Sequence, residues 1–166
     1  MTKIIYIIPG YGETGSEVRY KKLTSILGLK GYEIEQVKIN WKKPLSSLIF
    51  KPVENSIIVG FSFGAVLAYL IAKKYPLEKI VLCSLSPLNK FSYKEEYKEN
   101  LKYMSPEQAA ANAKDLKSIK ISLKDLKIPY VTLAGEKEKL CKGEFLVPKS
   151  DHFITNNYIN CIAKLL

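Results

Sequence analysis

The sequence predicts a three-layer α/β/α sandwich on a mostly parallel sheet of about six strands, and three observations carry that prediction. Six runs of strand length are rich in Ile, Val and Tyr. Helical patterns with recognisable starts and stops lie between them, and no internal repeat or low-complexity linker breaks the alternation. Strand, helix and strand in succession close by a right-handed crossover, which lays neighbouring strands parallel and distributes the helices over both faces.

Each element has its own signal. Residues 3–8 read "KIIYII" and stop at Pro9, and a helical pattern over 16–29 is closed by Gly31. The second strand is expected at 33–39 and the third at 56–61, followed by an apolar helix over 64–75 that Pro76 terminates. A fourth strand falls at 79–84. Two helices are expected within 92–119, the second opened by Ser105 as N-cap, Pro106 in the first turn and Gln108 as the return partner of a capping box. Strands at 130–134 and 144–148 and a helix over 156–166 complete the order.

Composition narrows the class. With 166 residues, 47% hydrophobic and 25% charged, the chain has material for a sizeable core and is neither disordered nor fibrous. The longest wholly apolar run, 65–72, is too short to span a bilayer. "KIIYII" runs straight into "PGYG" without the length or cleavage site of a signal peptide, so a cytoplasmic chain is expected. Cys83, Cys141 and Cys161 are odd in number and lack C-x-x-C spacing, which suggests neither a disulfide framework nor a zinc site. No metal or cofactor is expected.

The formal charge of +10 fits nucleic acid, a membrane surface or an anionic substrate in principle. Nearly all of the positive charge is lysine, however, and Arg19 is the only arginine. Bidentate reading of phosphates and bases favours arginine, and Lys114, Lys117, Lys120, Lys124 and Lys127 read as a solvated face. Nucleic-acid binding is therefore not expected.

In parallel sheets with helices on both faces, ligands bind beyond the carboxyl ends of the strands, so the loops there carry the chemistry. Gly60, Ser62 and Gly64 form G-x-S-x-G between a strand and a helix, the spacing of a nucleophile elbow, in which small neighbours let the chain fold back around an exposed serine. Its activation needs a base. The single histidine, His152 in "VPKSDHF", follows the sixth strand, where a base placed after the nucleophile belongs. A carboxylate must then hold the imidazole, and Glu136, Glu138 and Asp151 are the candidates. Asp151, adjacent to His152 on an extended loop, reads as a turn former, which leaves Glu136 and Glu138 in "LAGEKEK". For the developing oxyanion, one donor is expected from the amide of Phe63, directly after the serine.

In the order of its elements and in these motifs the chain resembles the α/β-hydrolase superfamily over essentially its whole length. The resemblance implies a minimal form of that fold as a single domain over 1–166, with a short helical insertion at about 88–126 where larger relatives carry a lid. It also implies that the chain begins at what is their third strand. In the family the acid commonly sits three residues after the glycine that ends its strand, in a G-x-x-D pattern; Gly135 and Glu138 match, with glutamate in place of aspartate. The loop "SLSPLN", at the family's alternative acid position, holds no carboxylate. The second oxyanion donor is implied in the loop after the first strand, where relatives often read H-G-x-G and this chain reads "PGYG". Pro9 replaces the histidine, and the donor is the amide of Tyr11.

The function expected from residues and resemblance together is a serine hydrolase of esterase or thioesterase type. It would cleave a small-molecule ester or thioester through an acyl-enzyme on Ser62, with His152 and Glu138 completing the triad. The alternatives are a hydrolase-fold binding module without catalysis and, behind it, a basic nucleic-acid binder. An apolar stripe at Phe91, Tyr97, Leu101 and Met104 has helical spacing and is expected to contact the core rather than to form a substrate wall.

Overall fold

The near-continuous apolar runs of β1 (Ile4–Ile8), β3 (Ile57–Phe61) and β4 (Lys79–Cys83) bury both of their faces, as strands in the middle of a parallel sheet must. The computed structural model describes residues 2–166, the side chain of Asn89 apart. With β2 (Glu33–Gln36), β5 (Tyr130–Gly135) and β6 (Phe145–Val147), these strands form one six-stranded sheet in the order β2-β1-β3-β4-β5-β6, parallel throughout.

Alternate residues of the strands feed two cores. Ile5, Ile7, Ile57, Val59 and Val81 face α1 (Val18–Leu29) and α5 (Asn156–Leu165) on one side. Tyr6, Ile8, Ile58, Ile80 and Leu82 face α2 (Phe63–Lys74) on the other. The expected second strand runs to residue 39, yet pairing ends earlier. Gln36 lies opposite Ile7, and β1, the only neighbour of β2, stops one residue later. The chain therefore leaves the sheet once Val37 has donated to the Ile7 carbonyl.

Two further helices follow β4. Both α3 (Tyr93–Asn100) and α4 (Pro106–Ser118) open with full capping boxes, Ser92 with Glu95 and Ser105 with Gln108. The stripe expected to contact the core does not: Phe91 and Leu101 are exposed, Tyr97 and Met104 half-buried, and the buried residues of α3 are Glu96 and Asn100. The physical reason is docking. Helix α3 packs on α4 rather than on the sheet, and the face it turns inward, with Glu96 and Asn100, lies over a cavity instead of on a filled core. The five lysines read as a solvated face are all exposed, and the three cysteines are free thiols. No helix among the described residues is long and apolar enough to cross a membrane.

Sheet order reverses between β1 and β3, because β2 lies on one side of β1 and β3 on the other. The loops leaving these two strands therefore flank the crevice where a doubly wound sheet binds its ligand.

Candidate active site

At the end of β3, Ser62 takes φ 55° and ψ −117°, a conformation that side-chain-bearing residues rarely adopt. Its amide donates to the Cys83 carbonyl at 2.8 Å, tying the turn to β4. The flanking glycines are sterically required. A Cβ on Gly60 would lie 2.3 Å from the Gly64 carbonyl oxygen, and one on Gly64 would lie 2.3 Å from that of Pro9. Close approach at Gly64 thus seats the start of α2 against the end of β1. The Ser62 carbonyl accepts from Ala65 and Val66, so the amide of Phe63, at the first position of α2, has no acceptor within the helix.

Beside it, "PGYGE" folds as a turn in which Glu13 N donates to the Gly10 carbonyl at 3.0 Å and Gly12 takes φ 73°. That positive φ at the third turn position is the one a glycine adopts without strain. The turn is anchored from behind. Gly10 N donates to Glu13 Oε2 at 2.9 Å, Tyr20 Oη also donates to Glu13, and Arg19 holds Glu13 Oε1 at 2.6 Å. Burial, then the Glu13 carboxylate, pushes the Tyr20 phenol up, which keeps it a donor. The Tyr11 ring packs on the Phe63 ring with centroids 5.6 Å apart, so the two residues expected to supply oxyanion donors are side by side.

The three residues expected to cooperate come together. Ser62 Oγ lies 2.9 Å from His152 Nε2, and His152 Nδ1 lies 2.5 Å from Glu138 Oε1. His152 rests on the ring of buried Phe61, centroids 5.7 Å apart, with its own side chain 47% exposed against 3% for Glu138. The other two acids are engaged elsewhere: Glu136 accepts from Lys149 N at 2.8 Å, and Asp151 accepts from Phe153 N in an Asx turn. Gly135 brings the two loops into contact, since a Cβ there would lie 2.4 Å from the Asp151 carbonyl oxygen.

Four residues that sequence reasoning did not single out complete the site. Glu138 Oε2 accepts from Gly135 N at 2.6 Å, Ser84 Oγ at 2.9 Å and Tyr158 Oη at 3.1 Å. Burial pushes the Glu138 carboxyl up, but the hydrogen bonds from His152, Gly135 N and Ser84 outweigh it and hold the group below its ordinary value. Ser84, itself at φ 49°, and Ser86, whose Oγ lies 3.1 Å from Ser62 Oγ, both come from "SLSPLN". The position of that loop after β4 was the available signal.

The fourth is Cys141, whose Sγ lies 3.8 Å from His152 Nδ1 and which forms with Glu138 and His152 a set of potential metal ligands. Burial, then the Glu138 charge, pushes its thiol up to about 12, which leaves a neutral thiol beside the imidazole.

Two cavities open beside residues that neighbour Ser62. One, of about 420 Å³, opens beside Tyr11 and Phe63 and extends under α3; the other, of about 680 Å³, runs past Ser86 between Leu140 and a group of lysines.

No protein-family model and no curated protein sequence matches the chain. Solved structures do. Alpha/beta hydrolase domain-containing protein 10 from mouse superposes with a TM-score of 0.71 at 14% identity, over 99% of this chain and 88% of that one. Est1E from Butyrivibrio proteoclasticus gives 0.70 at 11% identity, over 99% and 85%. The RedJ thioesterase of the prodiginine biosynthetic pathway in Streptomyces coelicolor gives 0.64 at 13% identity, over 98% and 84%. Likeness at these identities is a likeness of architecture, and together with the parallel six-stranded sheet wound on both faces it establishes that the chain has the α/β-hydrolase fold.

Proposed function

We propose that the protein is a serine hydrolase that cleaves a carboxylic ester or thioester through an acyl-enzyme on Ser62. The observation that carries this reading is the continuous hydrogen-bonded line from Ser62 Oγ through the imidazole of His152 to the buried carboxylate of Glu138. Names among the similar folds, an alpha/beta hydrolase domain-containing protein and a thioesterase, agree with a hydrolase.

Neutral His152 accepts the Ser62 proton at Nε2 as Oγ adds to the substrate carbonyl carbon, while its Nδ1–H stays bonded to Glu138, which stabilises the imidazolium. The amides of Phe63 and Tyr11 receive the oxyanion. Collapse expels the alcohol or thiol, which takes the proton from Nε2, and leaves the acyl group on Oγ. Water then enters, gives a proton to Nε2 and adds to the acyl carbon; the acid departs as Oγ recovers its proton. Exposure of the His152 side chain leaves water a path to that step.

A fluorophosphonate probe tests the reading. The folded protein is expected to gain one adduct, mapped by peptide mass to Ser62, and Ser62→Ala is expected to gain none. Folded protein without an adduct would instead favour a binding module of the same fold.

A further inference from the structure

The cavity beside Tyr11 and Phe63 runs against the charge of the molecule. In a chain of formal charge +10, its walls carry Glu95, Glu96 and Glu99 from α3 against Lys43 alone. Two of these glutamates have local duties: Glu95 closes the capping box of α3, and Glu99 pairs with Lys102 at 2.5 Å. Glu96 is different. It is 8% exposed and makes no hydrogen bond or ion pair among the described residues. The cation acting most on it, Lys117, has its ammonium on the Phe91 carbonyl at 2.6 Å. A buried carboxylate facing a cavity without a partner is a costly arrangement unless a cation enters.

Two independent features of the same walls point to a ligand. Trp41 Nε1, Asn100 Nδ2 and Asn112 Oδ1, on side chains that line the cavity, are buried without a partner, Asn100 and Asn112 each 5% exposed; the Asn112 oxygen suits a cation, and the two N–H donors suit an acceptor on the same ligand. The rings of Tyr11, Trp41, Phe63 and Phe91 form the rest of the wall. Tyr11 sits 5.7 Å from Trp41 and 5.6 Å from Phe63 at interplanar angles of 50° and 55°, so the rings form a tilted cluster rather than a parallel stack. Aromatic faces combined with a carboxylate attract organic cations and discriminate against anions.

We infer that this cavity receives an alkylammonium group and, resting on the proposed role of Ser62, that the substrate is an ester or thioester carrying such a cation. Tyr11 and Phe63 belong both to the cavity wall and to the pair whose amides face the reacting carbonyl, so a cation in the cavity is tethered within reach of Ser62. Overall charge alone points to an anionic substrate; the local walls favour the opposite sign.

The experiment compares isosteres that differ only in charge. On the acyl side, p-nitrophenyl 4-(trimethylammonio)butanoate is set against p-nitrophenyl 5,5-dimethylhexanoate; on the alcohol side, choline butyrate is set against 3,3-dimethylbutyl butyrate. In at least one pair the cation is expected to raise kcat/KM by about tenfold or more, and Glu96→Gln is expected to shrink that ratio towards one. Trp41, the only tryptophan, gives a readout that needs no turnover: choline is expected to change its fluorescence saturably, and uncharged 3,3-dimethyl-1-butanol is not. Equal rates within both pairs on the wild-type protein, with no saturable response to choline, overturn the inference while leaving ester hydrolysis standing. Absence of all hydrolysis together with a saturable choline response supports the cation site and refutes the role of Ser62.

Discussion

Ser62 has a backbone that most residues avoid, and the strain, on the order of 1–3 kcal/mol for such a conformation, is held by the Cys83 carbonyl below and two glycine contacts beside it. The carboxylate proposed to orient His152 has the opposite character: the Glu138 side chain is buried and held by four donors. Because its folded-state value lies below the ordinary 4.5, its contribution to stability is fully present above that value and lost as pH falls through the lower one. It therefore stays ionised across the neutral range. Glu138→Gln is expected to cut turnover by up to about 10⁴-fold, with Glu136→Gln and Asp151→Asn close to wild type, measured as kcat on one p-nitrophenyl ester. Equal small effects from all three would place the orienting charge elsewhere. Gly60, Ser62 and Gly64 were legible because a sharp turn admits few residue types, and the interval from Gly135 to Glu138 because a resemblance supplied it. Ser84, Ser86 and Tyr158 were not. Serines and tyrosines are common, and only the folded sheet shows that β4 and α5 bring these three to the site.

Helix α3 shows what periodicity leaves undetermined. A spacing of 3.6 tells which residues share a face; it does not tell which face turns inward when the helix docks on another helix above a cavity. Phe91, Tyr97, Leu101 and Met104 share a stripe that the fold leaves half-buried or exposed, whereas Glu96 and Asn100, one turn apart, are buried. That choice is expected to cost stability. Burial raises the Glu96 carboxyl above its ordinary value; Lys117 opposes the shift, and Glu99 and Glu95 add to it. For a raised acid, stability is fully present below the ordinary value and is lost as pH rises through the folded one. Glu96→Gln is accordingly expected to be more stable than wild type at pH 7, by on the order of 1 kcal/mol or about 2–4 °C in Tm. Melts repeated down to about pH 4 should show the difference closing. A variant less stable at pH 7 would mean that the carboxylate has a favourable partner. The central strands β1, β3 and β4, by contrast, were legible nearly throughout, because a run buried on both faces has no inward side to choose.

At the scale of the whole molecule, the parallel sheet gives the site a place and the short insertion gives it a size. A partly open cavity of about 420 Å³, walled by α3, α4 and residues 41–45, leaves the far end of a long acyl chain in water. Each methylene left there forgoes about 0.8 kcal/mol of possible binding. Across a series of p-nitrophenyl esters, kcat/KM is expected to peak at short to medium acyl groups and decline beyond them. Rates that climb to long chains and jump once the substrate forms an interface would contradict this. One consequence concerns time rather than space. The elbow needs only residues up to Cys83 for its shape, but the base, the acid and the acid's support by Tyr158 lie beyond residue 137. As the chain emerges from a ribosome, Ser62 is made well before the residues proposed to activate it. On the proposed role of Ser62, its nucleophilicity depends on Glu138, His152 and Tyr158, so a chain that ends before them is expected to take up no fluorophosphonate.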